Sequence, residues 1–160
     1  MSTTYASTIP HLELSDLNDN LPGVQDALRE MGKAVTDTGF DKQLIELVKV
    51  RVSQINGCAY CAQLHLNIAR QLGVSQARLD LLAVWRETSR RYSRRERVAL
   101  GWAEALTDLA HRSIAADVYT DATEEFTETE LMALTVAIAN INAWNRICGP
   151  LHFSPPEPTS

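Results

Sequence analysis

Cysteine is scarce in this sequence, with three in 160 residues, and only Cys58 and Cys61 lie close together. A secreted domain stapled by disulfides carries several spaced pairs, so that class is excluded, and in a reducing compartment such a pair reads as reactive thiols. Excess positive charge is also missing: the formal net charge is -5, which offers no general attraction to nucleic acid or to an anionic membrane. No apolar run approaches the roughly 18 residues that span a bilayer, and the opening MSTTYASTIPH lacks the basic-then-apolar order of a secretory signal. The expected setting is therefore the cytoplasm.

Alternating, strand-like runs are absent as well. Apolar residues make up 45% of the chain and charged residues 22%, enough to bury a core within one domain of ordinary size. The apolar residues recur at three and four positions between capping signals, which predicts an all-α fold. Residues 1–10 are small and polar and read as loose. Pro22 suits the first turn of a helix running to Gly39. Asp41 caps a helix ending at Asn56-Gly57, and the next runs from about Cys58 to Gly73. Ser75 opens a helix through Trp85, Ser93-Arg94-Arg95-Glu96 is a capping box for a helix reaching Leu109, and a short helix covers 118–126. Thr127-Glu128-Thr129-Glu130 opens a long helix that stops at Gly149-Pro150, and the prolines at 155, 156 and 158 make the tail non-helical.

The chemistry concentrates between Glu46 and His65. Cys58 and Cys61 fall at the start of a helix, where unpaired backbone N–H groups and the helix dipole favour a thiolate. Two intervening residues bring one sulfur within reach of the other, so one thiol can meet an oxidant and the second can close a disulfide. His65, four residues after Cys61, shares its face and can take or give a proton. About ten residues separate Glu46 from the Asn56-Gly57 turn and about eight separate the turn from His65, so at ~1.5 Å per residue an antiparallel hairpin sets the two at similar heights. Glu46 would then orient His65. Taken singly, a cysteine is most often a small buried apolar residue, a histidine is satisfied in a core and a glutamate lies at the surface. Zinc binding is the other functional reading, but Cys58, Cys61 and His65 give only three clustered ligands, so Glu46, Cys148 or another subunit would have to complete the set.

The run from Glu46 to His65, ELVKVRVSQINGCAYCAQLH, resembles the signature of the alkylhydroperoxidase D-like branch of the carboxymuconolactone decarboxylase family. Further similarity lies in Leu82–Thr88, Ala103–Thr107 and Ala137–Arg146, so the resemblance covers roughly residues 20–148. It implies an all-helical, homotrimeric or homohexameric protein with hydroperoxidase or disulfide reductase activity. In that reading Cys61 attacks the hydroperoxide, Cys58 resolves and faces the partner, and Glu46 with His65 relays the proton. It also implies no bound cofactor and recycling by an external dithiol of lipoyl or thioredoxin type. Peroxidases of the branch carry a histidine just before the second cysteine; Tyr60 stands there instead, and a phenol with an ordinary pKa of about 10 is a poor base near neutral pH. Decarboxylases of the family lack the cysteine pair. A lyase acting on a lactone acid and a non-enzymatic redox- or zinc-binding protein are the alternatives.

Elsewhere the sequence suggests packing rather than chemistry. The six arginines from Arg86 to Arg97 read as a solvated face or as intersubunit salt bridges, and Trp85, Trp102 and Trp144 as core or subunit packing. Asn140, Asn142 and Asn145 are poor helix formers that need partners, either across a subunit interface or beside the thiols. Cys148 reads as a buried small residue, and His11, His111 and His152 as surface or structural.

Overall fold

The computed structural model describes residues 11–159, so the expected looseness of 1–10 lies outside the described residues. Among them the fold is all-α: α1 Leu14–Asn20, α2 Val24–Asp37, α3 Lys42–Asn56, α4 Ala59–Gln71, α5 Gln76–Leu79, α6 Arg94–Thr107, α7 Ala116–Glu125 and α8 Glu128–Cys148. Capping chemistry sets most boundaries. Asp41 Oδ1 accepts from the N–H groups of Gln43 and Leu44 at 2.9 and 3.3 Å. Both capping boxes form, with Ser93 N–H donating to Glu96 Oε2 at 2.8 Å and Thr127 N–H to Glu130 Oε2 at 3.0 Å.

Three expected boundaries shift. A helix precedes Pro22: Glu13 N–H donates to Asp16 Oδ2 at 2.7 Å and opens α1, a start that Glu13 conceals because glutamate is not among the favoured caps. Pro22 itself sits in the turn before α2, whose cap is Gly23 at φ +92°. The expected helix from Ser75 through Trp85 breaks into α5 and a 3₁₀ turn at Leu82–Val84. Leu79, Leu82 and Trp85 are all buried, and a spacing of three suits three residues per turn rather than 3.6. Finally, α6 stops at Thr107 and leaves Leu109 exposed.

Helix α3 is the axis of the molecule, packed against α4, α6 and α8. Its two sides serve two apolar clusters. Leu44, Ile45, Val48 and Val52 join the larger one with Trp102, Leu134, Ile138 and Ile141. Leu47 and Val50 join the smaller with Leu79, Leu82, Trp85 and Leu100. A polar residue on such a helix must be partnered or exposed, which makes the buried Glu46 conspicuous.

Several of the arginines after α5 are paired within the chain. Arg51 and Trp85 donate to Glu104 Oε1 at 2.7 and 2.9 Å, and Arg86 pairs with Glu104 Oε2. Arg95 pairs with Glu130 at 2.6 Å and stacks over Phe126. These pairs lie within the chain, and Arg86, Arg90, Arg91 and Arg94 are exposed, the solvated face that the sequence suggests. The tail from Gly149 is non-helical, as its prolines require, and runs back along α4: Asn67 Nδ2 donates to the Glu157 carbonyl at 2.8 Å and Thr159 N–H to Asn67 Oδ1 at 3.1 Å.

Candidate active site

The α3–α4 hairpin is closed by Gly57. Its φ of +67° is the left-handed conformation that L side chains resist. Cys58 N–H donates to the Ser53 carbonyl at 3.0 Å and Gly57 N–H to Gln54 at 3.3 Å, the paired bonds of a Schellman ending. The next residue to reach α4 is Cys58, which becomes its N-cap, with Cys61 at the third helical position. Cys61 N–H points at Cys58 Sγ, 3.3 Å away. That bond and the helix dipole would stabilise a thiolate on Cys58.

Cys58 and Cys61 form a disulfide, with Cα atoms 5.4 Å apart. Both are buried, at 1% and 2% exposure. Of the two, Cys61 lines the cavity of about 320 Å³ bordered by α1, α2, α3, α4 and α8, while Cys58 does not and lies beside Gly149 at the end of α8. A Cβ placed on Gly149 would lie 3.8 Å from Cys58 Cβ and 2.7 Å from the Asn145 carbonyl oxygen, so a larger residue there would have to shift the chain. The resemblance implied that Cys58 faces a partner, whereas the single chain covers it.

His65 lines the same cavity as Cys61. Its Nδ1 lies 2.6 Å from Glu46 Oε2, and Lys49 Nζ lies 2.9 Å from Glu46 Oε1. Burial raises the proton affinity of Glu46, but the hydrogen bond and charge of His65, followed by Lys49, outweigh it and hold the carboxyl below the ordinary carboxylate range. An ionised carboxylate only accepts, so Nδ1 carries the proton and Nε2 is the nitrogen left for the cavity. The four residues expected to act together are thus gathered at one hairpin. Sequence reasoning misses Lys49; its signal is the i, i+3 spacing from a buried glutamate on α3.

Tyr60 also lines the cavity, edge-on to Phe153 with ring centroids 5.8 Å apart. Burial, with Cys148 adding to it, pushes its phenol above the ordinary value against the pull of Arg29. It is no base at neutral pH. Burial pushes the Cys148 thiol up to about 12, which leaves it protonated at the edge of the cavity. The asparagines act within the chain: Asn56 Nδ2 donates to Asn142 and Asn145 at 3.0 and 2.9 Å, Asn145 Nδ2 to Ser53 Oγ at 3.1 Å, and Asn140 Nδ2 to the Leu28 carbonyl at 2.8 Å. The first three of these fasten α8 to the end of α3 just before the cysteines. Trp102 is core, Trp85 is anchored by Glu104, and Trp144 lines the cavity. His11 packs on His152 and His111 pairs with Asp108. Among the described residues no group of three or more His, Cys, Asp or Glu side chains is arranged to hold a metal ion, and no helix is long and apolar enough to cross a membrane.

Comparison with known proteins agrees with this geometry. The uncharacterized protein YdfG of Bacillus subtilis is 33% identical over 120 residues, 75% of this chain and 81% of its own. A crystal structure from Agrobacterium tumefaciens, of a protein of unknown function provisionally described as the antioxidant defence protein AhpD, superposes with a TM-score of 0.84 at 34% identity, covering 89% of this chain and 97% of that one. The debrominase Bmp8, solved as a cysteine-to-alanine variant in complex with 2,3,4-tribromopyrrole, shares the fold at a TM-score of 0.72 and 19% identity, over 94% of this chain and 92% of its own. The carboxymuconolactone decarboxylase profile matches residues 22–105, and with the AhpD-type relative this establishes that the chain belongs to the carboxymuconolactone decarboxylase family, on its alkylhydroperoxidase D-like branch.

Proposed function

We propose that the protein is a cytoplasmic thiol hydroperoxidase of antioxidant defence, recycled by an external dithiol. The observation that carries this reading is the Cys58–Cys61 pair set beside an apolar cavity, with His65 on the same face and Glu46 behind it. In the reduced protein, His65 Nε2 takes the Cys61 proton and the thiolate attacks the terminal peroxide oxygen. The O–O bond breaks, the alkoxide leaves as the alcohol with the proton from His65, and Cys61 becomes a sulfenic acid. Cys58 then attacks the Cys61 sulfur, the disulfide forms and water leaves. Glu46 holds the imidazole in the required tautomer and balances its positive charge.

Recycling needs two electrons. Because Cys61 lines the cavity and Cys58 does not, the reductant is expected to attack Cys61 through the cavity, displacing Cys58 as a thiolate that the Cys61 N–H stabilises. The second reductant thiol then releases Cys61. A slender lipoyl-type dithiol fits that route better than a bulky thioredoxin-type surface, and no bound cofactor is required. Assembly as a homotrimer or homohexamer belongs to the same reading and is read out by light scattering. The testing experiment mixes the reduced protein with hydrogen peroxide and an alkyl hydroperoxide and follows free thiols and intact mass, with and without dihydrolipoamide. Rapid loss of two thiols and two mass units, with continued peroxide consumption when the dithiol is present, is expected; inert thiols would overturn the reading.

A further inference from the structure

The cavity beside Cys61 is walled by Leu14, Leu28, Leu64, Ile68, Ile141 and Trp144, yet two polar features in it are not used by the chemistry above. The first is Arg29, on α2. Lys49 is engaged by Glu46 at 2.9 Å, but among the described residues no carboxylate pairs with Arg29. It is held instead by a neutral group: the buried Gln25 carboxamide accepts from the guanidinium, at 3.2 Å from one terminal nitrogen and 3.3 Å from Nε, while its own NH₂ donates to Asn18 Oδ1 at 2.9 Å. The guanidinium is therefore positioned without being neutralised, at an apolar cavity where a planar, bidentate anion would complete it.

The second feature is Asn140 Oδ1, a buried acceptor with no hydrogen-bond partner, on a residue only 6% exposed. Its Nδ2 is already given to the Leu28 carbonyl, so the amide is oriented and its oxygen is left over. A stranded acceptor costs about 1 to 3 kcal/mol unless a ligand supplies a donor. Gly32, whose added Cβ would meet Asn140 Nδ2 at 3.4 Å, keeps the space beside the amide open.

We propose that this cavity recognises an organic hydroperoxide that carries a carboxylate, with Arg29 binding the carboxylate and Asn140 Oδ1 accepting the O–H of the hydroperoxyl group or of the product alcohol. The inference rests on the thiol hydroperoxidase reading for the word hydroperoxide, and on the cavity alone for the carboxylate. Small-molecule sites run from roughly 300 to 1,000 Å³, so a cavity of about 320 Å³ takes a compact ligand.

Binding of product analogues separates the two readings. The oxidised protein is titrated calorimetrically with 4-(2-hydroxypropan-2-yl)benzoate, its methyl ester, and 4-isopropylbenzoate, which lacks the hydroxyl. The acid is expected to bind about tenfold more tightly than the ester, the scale of one charge-assisted bidentate contact at a partly solvated rim. Arg29→Gln should abolish that preference and Arg29→Lys should keep part of it, because lysine retains the charge without the fork. Loss of the hydroxyl should weaken binding by about fivefold, the scale of one neutral hydrogen bond. Equal binding of acid and ester, or a preference that survives Arg29→Gln, overturns the proposal. If the acid is preferred while no hydroperoxide oxidises the thiols, the carboxylate site stands and the peroxidase chemistry falls; turnover with indifference to the carboxylate means the reverse.

Discussion

His65 and Glu46 are nineteen residues apart in sequence and 2.6 Å apart in space, a buried hydrogen bond across the α3–α4 hairpin. The Glu46 carboxylate is shared, since Lys49 holds its other oxygen at 2.9 Å. A carboxylate saturated in this way can fix a neighbour's tautomer but has little reason to leave its place. The pair is therefore both a structural tie and a device for presenting Nε2 to the cavity, and the two roles separate experimentally.

Glu46→Gln keeps the shape and removes the charge. The amide can present its NH₂ to Nδ1 and favour the wrong tautomer, so peroxide-dependent oxidation of Cys61 should slow by about a hundredfold, the scale of losing general acid-base support. Stopped-flow thiol oxidation measures this. An unchanged rate, with an unchanged pH dependence of iodoacetamide labelling at Cys61, would sink the relay.

Stability should carry the same signature in acid. Because Glu46 has a folded pKa below its ordinary value of 4.5, its ionisation stabilises the fold above that pH, and the contribution is lost as pH falls through the folded value. Glu46→Gln has nothing to titrate. The wild type should be more stable by about 1 to 3 kcal/mol at pH 7, a difference that shrinks as the pH is lowered from 7 through the folded value. Urea melts of both proteins across that range give the curve, and a gap that widens in acid would contradict the assignment.

Gly57→Ala tests the turn. At φ +67° a side chain costs about 1 to 2 kcal/mol, and here the strain would fall directly beside Cys58. A drop of that size in urea stability is expected, together with slower disulfide closure after peroxide treatment, because the Schellman ending sets where Cys58 joins α4.

Most of this site is readable in the sequence because local rules converge on it. A cap at Asp41, a glycine at 57 and face-sharing at Cys61 and His65 are short-range features, and counting residues back from the turn is enough to pair His65 with Glu46. What stays illegible depends on tertiary context. Glu13 is not a favoured cap, so α1 is invisible, and with it one wall of the cavity. The break after α5 follows from burying Leu79, Leu82 and Trp85 together, which helical periodicity alone does not distinguish from a continuous helix. Arg29 and Asn140 lie far apart in sequence and meet only because α2 and α8 pack side by side.

Cys148 should be silent. With its thiol pushed up to about 12 by burial, the thiolate fraction at pH 8 is about one part in ten thousand. In the reduced native protein, iodoacetamide should label Cys61, which lines the cavity, and leave Cys148 until denaturant is added. Peptide mass mapping reads this directly; early labelling of Cys148 would make it a third redox thiol.

The order of events at the pair can be trapped. Cys61 lines the cavity and Cys58 does not, so in Cys58→Ser the peroxide should still reach Cys61, and the sulfenic acid, with no thiol to resolve it, should accumulate. One dimedone adduct on Cys61 is expected, with a single turnover and no further consumption when dithiol is withheld. In Cys61→Ser, Cys58 remains beneath Gly149 and away from the cavity, so no adduct should form. An adduct on Cys58 in Cys61→Ser, with none in Cys58→Ser, would exchange the two roles. It would also require the end of α8 to move aside before the chemistry, since Cys58 lies beside Gly149 and does not line the cavity.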